Sequence, residues 1–384
     1  MGFQFFSPFL PLYVHELGVT DPGRIAIWSG VLSAVTPAVS GFLGPLFGRL
    51  ADRFGRKMML IRSLAGFIVI IAAMGFVTSV EQLLVARVLQ GLFAGFTPMV
   101  MALATVAAPR DRTATAIGMV QSAQLLSVAI GPAAGGYVAS HFGIRYAFFV
   151  TSGMCALALI ALIVLFKETE PPRARGFSGP PARRLRMADL LRYPHFLVVL
   201  SLLLIAQFLD RGLSLIVPLH ITHLPGIEAV AATSGLIISV SAVAAALSAN
   251  LSARLSRGIP PAQLLLVGLL LGGPFCALLA LAQSWPTLLI LRTLVGLCLG
   301  GAITLAYALG AVIVPAESRG AAFGWLALGV QFGTAASPLV SGALAAASIP
   351  GAYLFNAVLA WLAAALLGFA ARGLWSRHDQ PRPV

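Results

Sequence analysis

Acidic side chains are scarce in this chain. Its 384 residues carry twelve Asp and Glu against twenty-five Lys and Arg, and only 10% of all positions are charged. Soluble domains are charged at about a quarter of their positions, so an ordinary solvated surface is excluded. Cysteine is nearly missing too. Cys155, Cys276 and Cys298 all fall in apolar stretches, at spacings that suit neither a disulfide framework nor a metal site. They read as small apolar packers. No phosphate-binding glycine loop, metal-ligand cluster or nucleophile constellation occurs, which points to no enzyme, no metal and no cofactor. Energy for any work must then come from an ion gradient or from a substrate's own gradient. A charged start followed by a small-residue cleavage site is also lacking, as is any soluble segment large enough for a sensor domain.

What is abundant is apolar length. The chain is 59% hydrophobic, with a mean hydropathy of +0.95. Blocks of about twenty apolar residues, each enough for a ~30 Å hydrocarbon core, recur almost end to end. Helices apolar on all sides can be buried in a large soluble core, but twelve cannot be in so short a chain. Eleven full spans are expected near 26–47, 58–79, 82–107, 114–139, 146–166, 196–219, 231–254, 261–283, 287–313, 319–346 and 352–374. A short one, "MGFQFFSPFLPLYV", covers 1–14, about 21 Å at 1.5 Å per residue. Either its upstream part is missing or the first helix is truncated; a missing upstream segment is the expectation. The expected class is an all-α integral membrane protein of twelve transmembrane helices.

The net charge of +13 invites a nucleic-acid partner. Its distribution argues against one, because the basic residues lie in short segments between spans and no aromatic-interleaved basic face exists. With the N-terminus inside, twenty Lys and Arg (within 49–62, 110–112, 167–192, 254–257, 319 and 372–382) face inward. Only Arg24 and Arg145 face outward, and Arg87, Arg211 and Arg292 lie within spans. Cytoplasmic segments collect Lys and Arg, so both termini are expected in the cytoplasm. The longest connection, 167–195, is rich in Pro, Gly and Arg. It reads as a cytoplasmic linker, either a flexible tether or one with a short surface helix at 185–192. The expected organisation is a six-helix half at 1–166, this linker, a second six-helix half at 196–375 and a tail at 376–384.

The halves repeat each other. "LVARVLQGLFAG" (84–95) matches "LILRTLVGLCLG" (289–300) at an offset of 205, pairing Arg87 with Arg292, Gly91 with Gly296 and Gly95 with Gly300. "GPAAGG" (131–136) matches "SPLVSG" (337–342) at 206, and "PLY" (11–13) matches "PLH" (218–220) at 207. Parallel repeats of this kind are a transporter architecture, with the substrate site near the midplane between them.

Between the second and third spans charge is concentrated in "GRLADRFGRK" at 48–57. Gly48 and Gly55 permit a tight turn, and Asp52 can meet a helix N-terminus or an arginine. The second half keeps no acid there: Ala253 stands in its place. This stretch, Gly48, Asp52, Arg53, Gly55, Arg56 and Lys57, resembles the loop signature of the major facilitator superfamily. The resemblance implies a fold of two six-helix halves and a switch in which Asp52 pairs with the far half to stabilise the outward-facing state. The residues alone also allow a plain positive-inside anchor.

Two spans extend the resemblance. In the fourth, Arg87, Gly91 and Gly95 share one helical stripe, and the glycines would admit a neighbouring helix. Arg87 with Gln90 and Gly91 resembles the superfamily's fourth-helix motif, in which the arginine is thought to affect proton transfer; the alternative is a snorkelling arginine. In the fifth, "GMVQSAQLLSVAIGPAAGG" resembles the antiporter motif of the twelve-span drug:proton antiporter group. Gly118, Gly131, Pro132, Gly135 and Gly136 match it, and Ser127 stands where the motif has glycine. The resemblance implies a bent, tightly packed contact between halves that limits leak. Ordinary small-residue packing is the alternative.

Chemistry is expected in the seventh span, "AQFLDRGLSLIVPLH" (206–220). Asp210 is the one acid deep inside a span, about fifteen residues from the cytoplasmic end and so ~22 Å in. Intramembrane carboxylates are functional candidates. Asp210 either takes and releases a proton, with Arg211 pointing elsewhere, or sits in a static ion pair with Arg211 or another helix. Gln4, Gln90, Gln121, Gln124, Gln207, Tyr307 and Gln331 are cavity-lining candidates, each also explicable as an inter-helix hydrogen bond. The excess of arginine over lysine, twenty-three to two, suggests a GC-rich bacterial genome. With the resemblance, this implies a monomeric exporter in the bacterial inner membrane, moving drugs or other small amphipathic compounds against protons by alternating access. The alternative is a carrier of one specific metabolite, such as a sugar or siderophore, in either direction.

Overall fold

The computed structural model describes residues 2–107, 113–166, 195–314 and 319–375. The linker at 167–194, the tail at 376–384 and residues 108–112 and 315–318 lie outside the described residues, as does the side chain of Asp52. Among the described residues there is no strand.

The first span is broken. Its helix α1 (Gly2–Phe6) passes through a 3₁₀ turn (Ser7–Phe9) into α2 (Leu10–Glu16). Pro8 and Pro11 sit at the starts of the second and third pieces, where proline's missing N–H costs least. Helix α3 (Pro22–Phe54) starts at Asp21, whose carboxylate accepts from the Arg24 N–H at 2.7 Å. It runs two turns further than expected, so most of the charged stretch is helix rather than loop. Gly48 is inside α3; only Gly55, at φ +86°, makes the turn, and α4 (Arg56–Met74) begins beside it.

The fourth span is two helices, α5 (Val80–Leu92) and α6 (Phe96–Ala107). Between them Gly95 takes φ +98°. After α7 (Thr113–Phe142) and α8 (Ile144–Leu165) the second half begins with α9 (Phe196–Ile221) and α10 (Val230–Leu255). It continues through α11 (Pro261–Leu278), α12 (Trp285–Leu299), α13 (Ala302–Ile313), α14 (Arg319–Ala347) and α15 (Ile349–Trp375). The break at Gly300 and Gly301 stands at the repeat position of the break near Gly95.

Among the described residues, ten helical stretches are long and apolar enough to cross a membrane, α12 and α13 counting as one. The two other expected spans are the short first one and the α5–α6 pair, whose pieces are 13 and 12 residues long. By compactness the chain divides into two units. Unit 1 is Met1–Ser178 with Val217–Ser239; unit 2 is Gly179–Ile216 with Val240–Val384. The end of α9 and the start of α10 thus pack with the first half. Unit 1 centres on Phe6, Phe9, Leu10, Tyr13, Ile71, Met74 and Phe148, all buried. Unit 2 centres on Phe196, Leu203, Leu305, Ala306, Leu326 and Leu367.

Candidate functional site

The basic stretch finds partners within unit 1. Lys57 donates from Nζ to the Phe166 carbonyl and lies 5.8 Å from the Phe166 ring. Arg62 donates from Nη2 to the Leu92 carbonyl at 3.3 Å, with its guanidinium 5.0 Å from the Phe47 ring and 5.4 Å from that of Phe93. Both carbonyls end helices, α8 and α5, where the last C=O groups lack partners and the helix dipole is negative. These cations therefore cap neighbouring helices. Arg53 stacks on Phe54 at 5.3 Å, and Arg56 opens α4.

Arg87 is buried in unit 1. It donates from Nε to the Leu32 carbonyl and from Nη1 to Gln90 Oε1, both at 2.8 Å. Thr36 donates its hydroxyl to the Arg87 carbonyl at 2.9 Å, and the guanidinium sits 5.8 Å from the Phe6 ring. Gln90 is fully buried and its Nε2 has no hydrogen-bond partner. Gly91 lets this helix approach α3: a Cβ there would stand 2.7 Å from Val39 Cβ.

In unit 2 the same position carries Arg292, also buried, and Ser241 donates to its carbonyl at 3.1 Å. This repeats the Thr36–Arg87 bond at the offset of 205. Here, however, Nη2 faces a carboxylate: Asp210 Oδ1 accepts at 3.4 Å. The Asp210 side chain is 54% exposed and that of Arg292 is 5% exposed. Arg211 is not the partner of Asp210, and its Nε is buried without a hydrogen bond. Next to the pair, Gly212 packs against Ser337 and Ser341, and Ser337 donates to the Phe208 carbonyl at 2.6 Å. Of the two partners the sequence left open for Asp210, Arg211 or another helix, the structure gives the other helix, through an arginine the sequence reading did not name. The signal was there: one acid and three arginines lie in spans, and an intramembrane charge needs a partner.

Helix α7 divides in two. Gly118 has nothing near it, and Ser127 donates to the Ala123 carbonyl of its own helix at 2.7 Å. From Gly131 onward the helix is tightly packed. A Cβ on Gly131 would stand 2.7 Å from Gln4 Cβ, and one on Gly135 would run into the Phe5 carbonyl. On Gly136 it would meet the Ala231 carbonyl at 2.5 Å, while Gly235 faces the Pro132 carbonyl in return. Of the other polar candidates, Gln4 backs onto Gly131. Gln207 is buried, Gln124 and Tyr307 are half-buried, and Gln121 and Gln331 are exposed. Tyr307 stacks on Phe323 at 5.6 Å.

Comparison with known proteins gives one family. A model of the Major Facilitator Superfamily matches residues 1–272 and again 212–383. The chain is 31% identical over 375 residues to the multidrug resistance protein MdtG of Salmonella arizonae, covering 94% of this chain and 91% of that protein. The MdtG of Salmonella paratyphi B matches to the same extent. Among solved structures, a bacterial homolog of the human lysosomal transporter Spinster, inward-facing and occupied, gives a TM-score of 0.79. Its identity is 19%, over 100% of this chain and 97% of that one. The nucleoside transporter NupG, in a mutant form, gives 0.75 at 15% identity over 96% of each chain.

Proposed function

The chain belongs to the Major Facilitator Superfamily as a multi-pass membrane transporter, and on that premise we propose that it exports drugs or other small amphipathic compounds by proton antiport. The multidrug relative at 31% identity supports the substrate class. The coupling reading is carried by the Asp210–Arg292 pair.

Its chemistry is simple. Ionised Asp210 holds Arg292 through one contact at 3.4 Å, and its half-open side chain leaves a route for a proton. Protonation removes the charge that holds Arg292, so the pair has two states that a proton selects. The Arg292 side chain is buried and that of Asp210 is half exposed, which makes Asp210 the member that protons and substrate can reach. A compound that engages Asp210 competes with the proton, and that competition is antiport. Arg87 faces neutral oxygens and serves as a fixed element of unit 1. The halves 1–166 and 196–375 alternate access about the small-residue contact of α7. The cell location is a bacterial inner membrane with both termini cytoplasmic, and the working unit is a monomer.

The test is proton movement in everted vesicles. Respiration sets the gradient, and cationic, neutral and anionic drugs are added to wild type and to Asp210→Asn. Drug-induced proton release in wild type, lost in the variant, is expected. Release that survives the substitution moves the proton site elsewhere. No release with any drug sends the search to a specific metabolite.

A further inference from the structure

We infer that Ser140 and Ser239 form a two-hydroxyl clasp that sets how readily α7 and the start of α10 part during transport. The inference rests on the exporter reading above and concerns residues outside the motif that suggested it.

The bonds run in opposite directions. Ser140 Oγ, on α7, accepts from the Ala232 N–H at 3.0 Å. Ser239 Oγ, on α10, accepts from the Ala133 N–H at 2.9 Å. Each helix thus lends a hydroxyl to the other's backbone. Between the two bonds the helices touch backbone to backbone, Gly136 against Ala231 and Gly235 against Pro132. Ala133 and Ser140 are seven residues apart, about 10 Å along a helix, so the bonds pin both ends of the glycine contact. Glycine surfaces alone carry no directional interaction and would slide; two separated hydrogen bonds fix the register.

The donors chosen make the clasp easy to release. Ala232 lies in the first turn of α10, where N–H groups have no intrahelical acceptor. On parting it can take water. Ala133 follows Pro132, whose ring disturbs the helix one turn back, and the carbonyl of Ala129 is its alternative acceptor. Neither donor is stranded when the helices separate. A permanent structural contact has no need of such donors, whereas a contact that opens in every cycle does.

Inter-helix side-chain hydrogen bonds in a bilayer shift equilibria by about threefold each, and the pair by about sevenfold. The experiment places nitroxide labels at His141 and Glu228 of the full chain in liposomes and reads the distance distribution by double electron–electron resonance. The longer-distance population should rise about threefold in Ser239→Ala, less in the exposed Ser140→Ala, and about sevenfold in the double variant. Ser140→Thr, which keeps the hydroxyl, should match wild type. An unchanged distribution in the double variant overturns the clasp, as does a Thr variant that behaves like Ala. The measurement needs no drug. If the populations shift as expected while wild type moves no protons with any drug, the exporter reading fails and the clasp stands.

Discussion

Arg87 and Arg292 occupy one position of a repeated helix and are held in one way, by a hydroxyl from a neighbouring helix on the backbone carbonyl. What faces the guanidinium differs. In unit 1 it is the Leu32 carbonyl and the Gln90 amide; in unit 2 it is Asp210. An amide oxygen keeps its charge at every pH, and a carboxylate does not. The repeat carries two copies of a buried arginine, and only the second faces an acid. On the antiport reading proposed above, that asymmetry would give the transporter the single switched element that both gradients can bias.

The largest effect should come from breaking unit 2's member. Arg292→Met leaves Asp210 without its cation, so protonation no longer changes a contact. Drug-dependent proton release should fall by about 5–150-fold, the span of ordinary coupling energies. Arg87→Met should act differently. It removes the 2.8 Å bond to the buried Gln90 Oε1, leaving only the Thr36 hydroxyl at 3.4 Å, at a cost of about 1–3 kcal/mol, read as a lower Tm of the purified protein, while residual transport stays proton-coupled. Equal loss of coupling in both variants would erase the distinction between the units.

A second contrast lies within α7. Gly135→Ala drives a methyl into the Phe5 carbonyl, and overpacking of this kind costs about 1–3 kcal/mol. Gly118→Ala meets nothing within 4 Å and gains up to about 1 kcal/mol of helix propensity. Thermal melts of the two variants should move in opposite directions. Sharpening the first comparison is subtler. Gln90→Glu is nearly isosteric and would turn the 2.8 Å bond to Arg87, already charged on its donor side, into an ion pair like that of unit 2. A raised Tm, and a second pH-dependent step in transport, would mark unit 1 as a latent copy of unit 2.

The spans were readable because a bilayer demands about twenty apolar residues in a row, and that signal is local. Misreadings arose where the deciding partner is distant. The stretch at 48–57 looked like a loop because charge and glycine coincide there, yet Gly48 is tolerated in a helix and only the left-handed Gly55 stops it. For Asp210 a partner on another helix was open from the start, since neighbours diverge around a helix, but which residue it was, 82 positions away, was not readable. Glycine spacing in α7 was visible, whereas the difference between open Gly118 and crowded Gly135 depends on which helix lies opposite. Ser140 and Ser239 carried no sequence signal, because a serine's acceptor role appears only once another backbone reaches it.

The smallest effect compares the starts of α5 and α12, which the repeat also aligns. Ser79 accepts from the Gln82 N–H at 3.3 Å, and Glu81 follows it in the first turn, just outside the span. Its own backbone N–H and then the Ser79 hydroxyl hold the Glu81 carboxyl below the usual carboxylate range. A depressed carboxyl adds stability above its unfolded-state value and loses it as pH falls through the folded-state value. The other helix starts at Ser284 with Trp285 and Pro286 and has no acid in its first turn. Amide-exchange protection, corrected for the intrinsic rate, should therefore decline at the start of α5 on acidification below the carboxylate range and hold steady at the start of α12. Glu81→Gln should remove the difference. If both starts fray together in acid, the Glu81 carboxylate is not what holds the first turn of α5, and the two caps are equivalent after all.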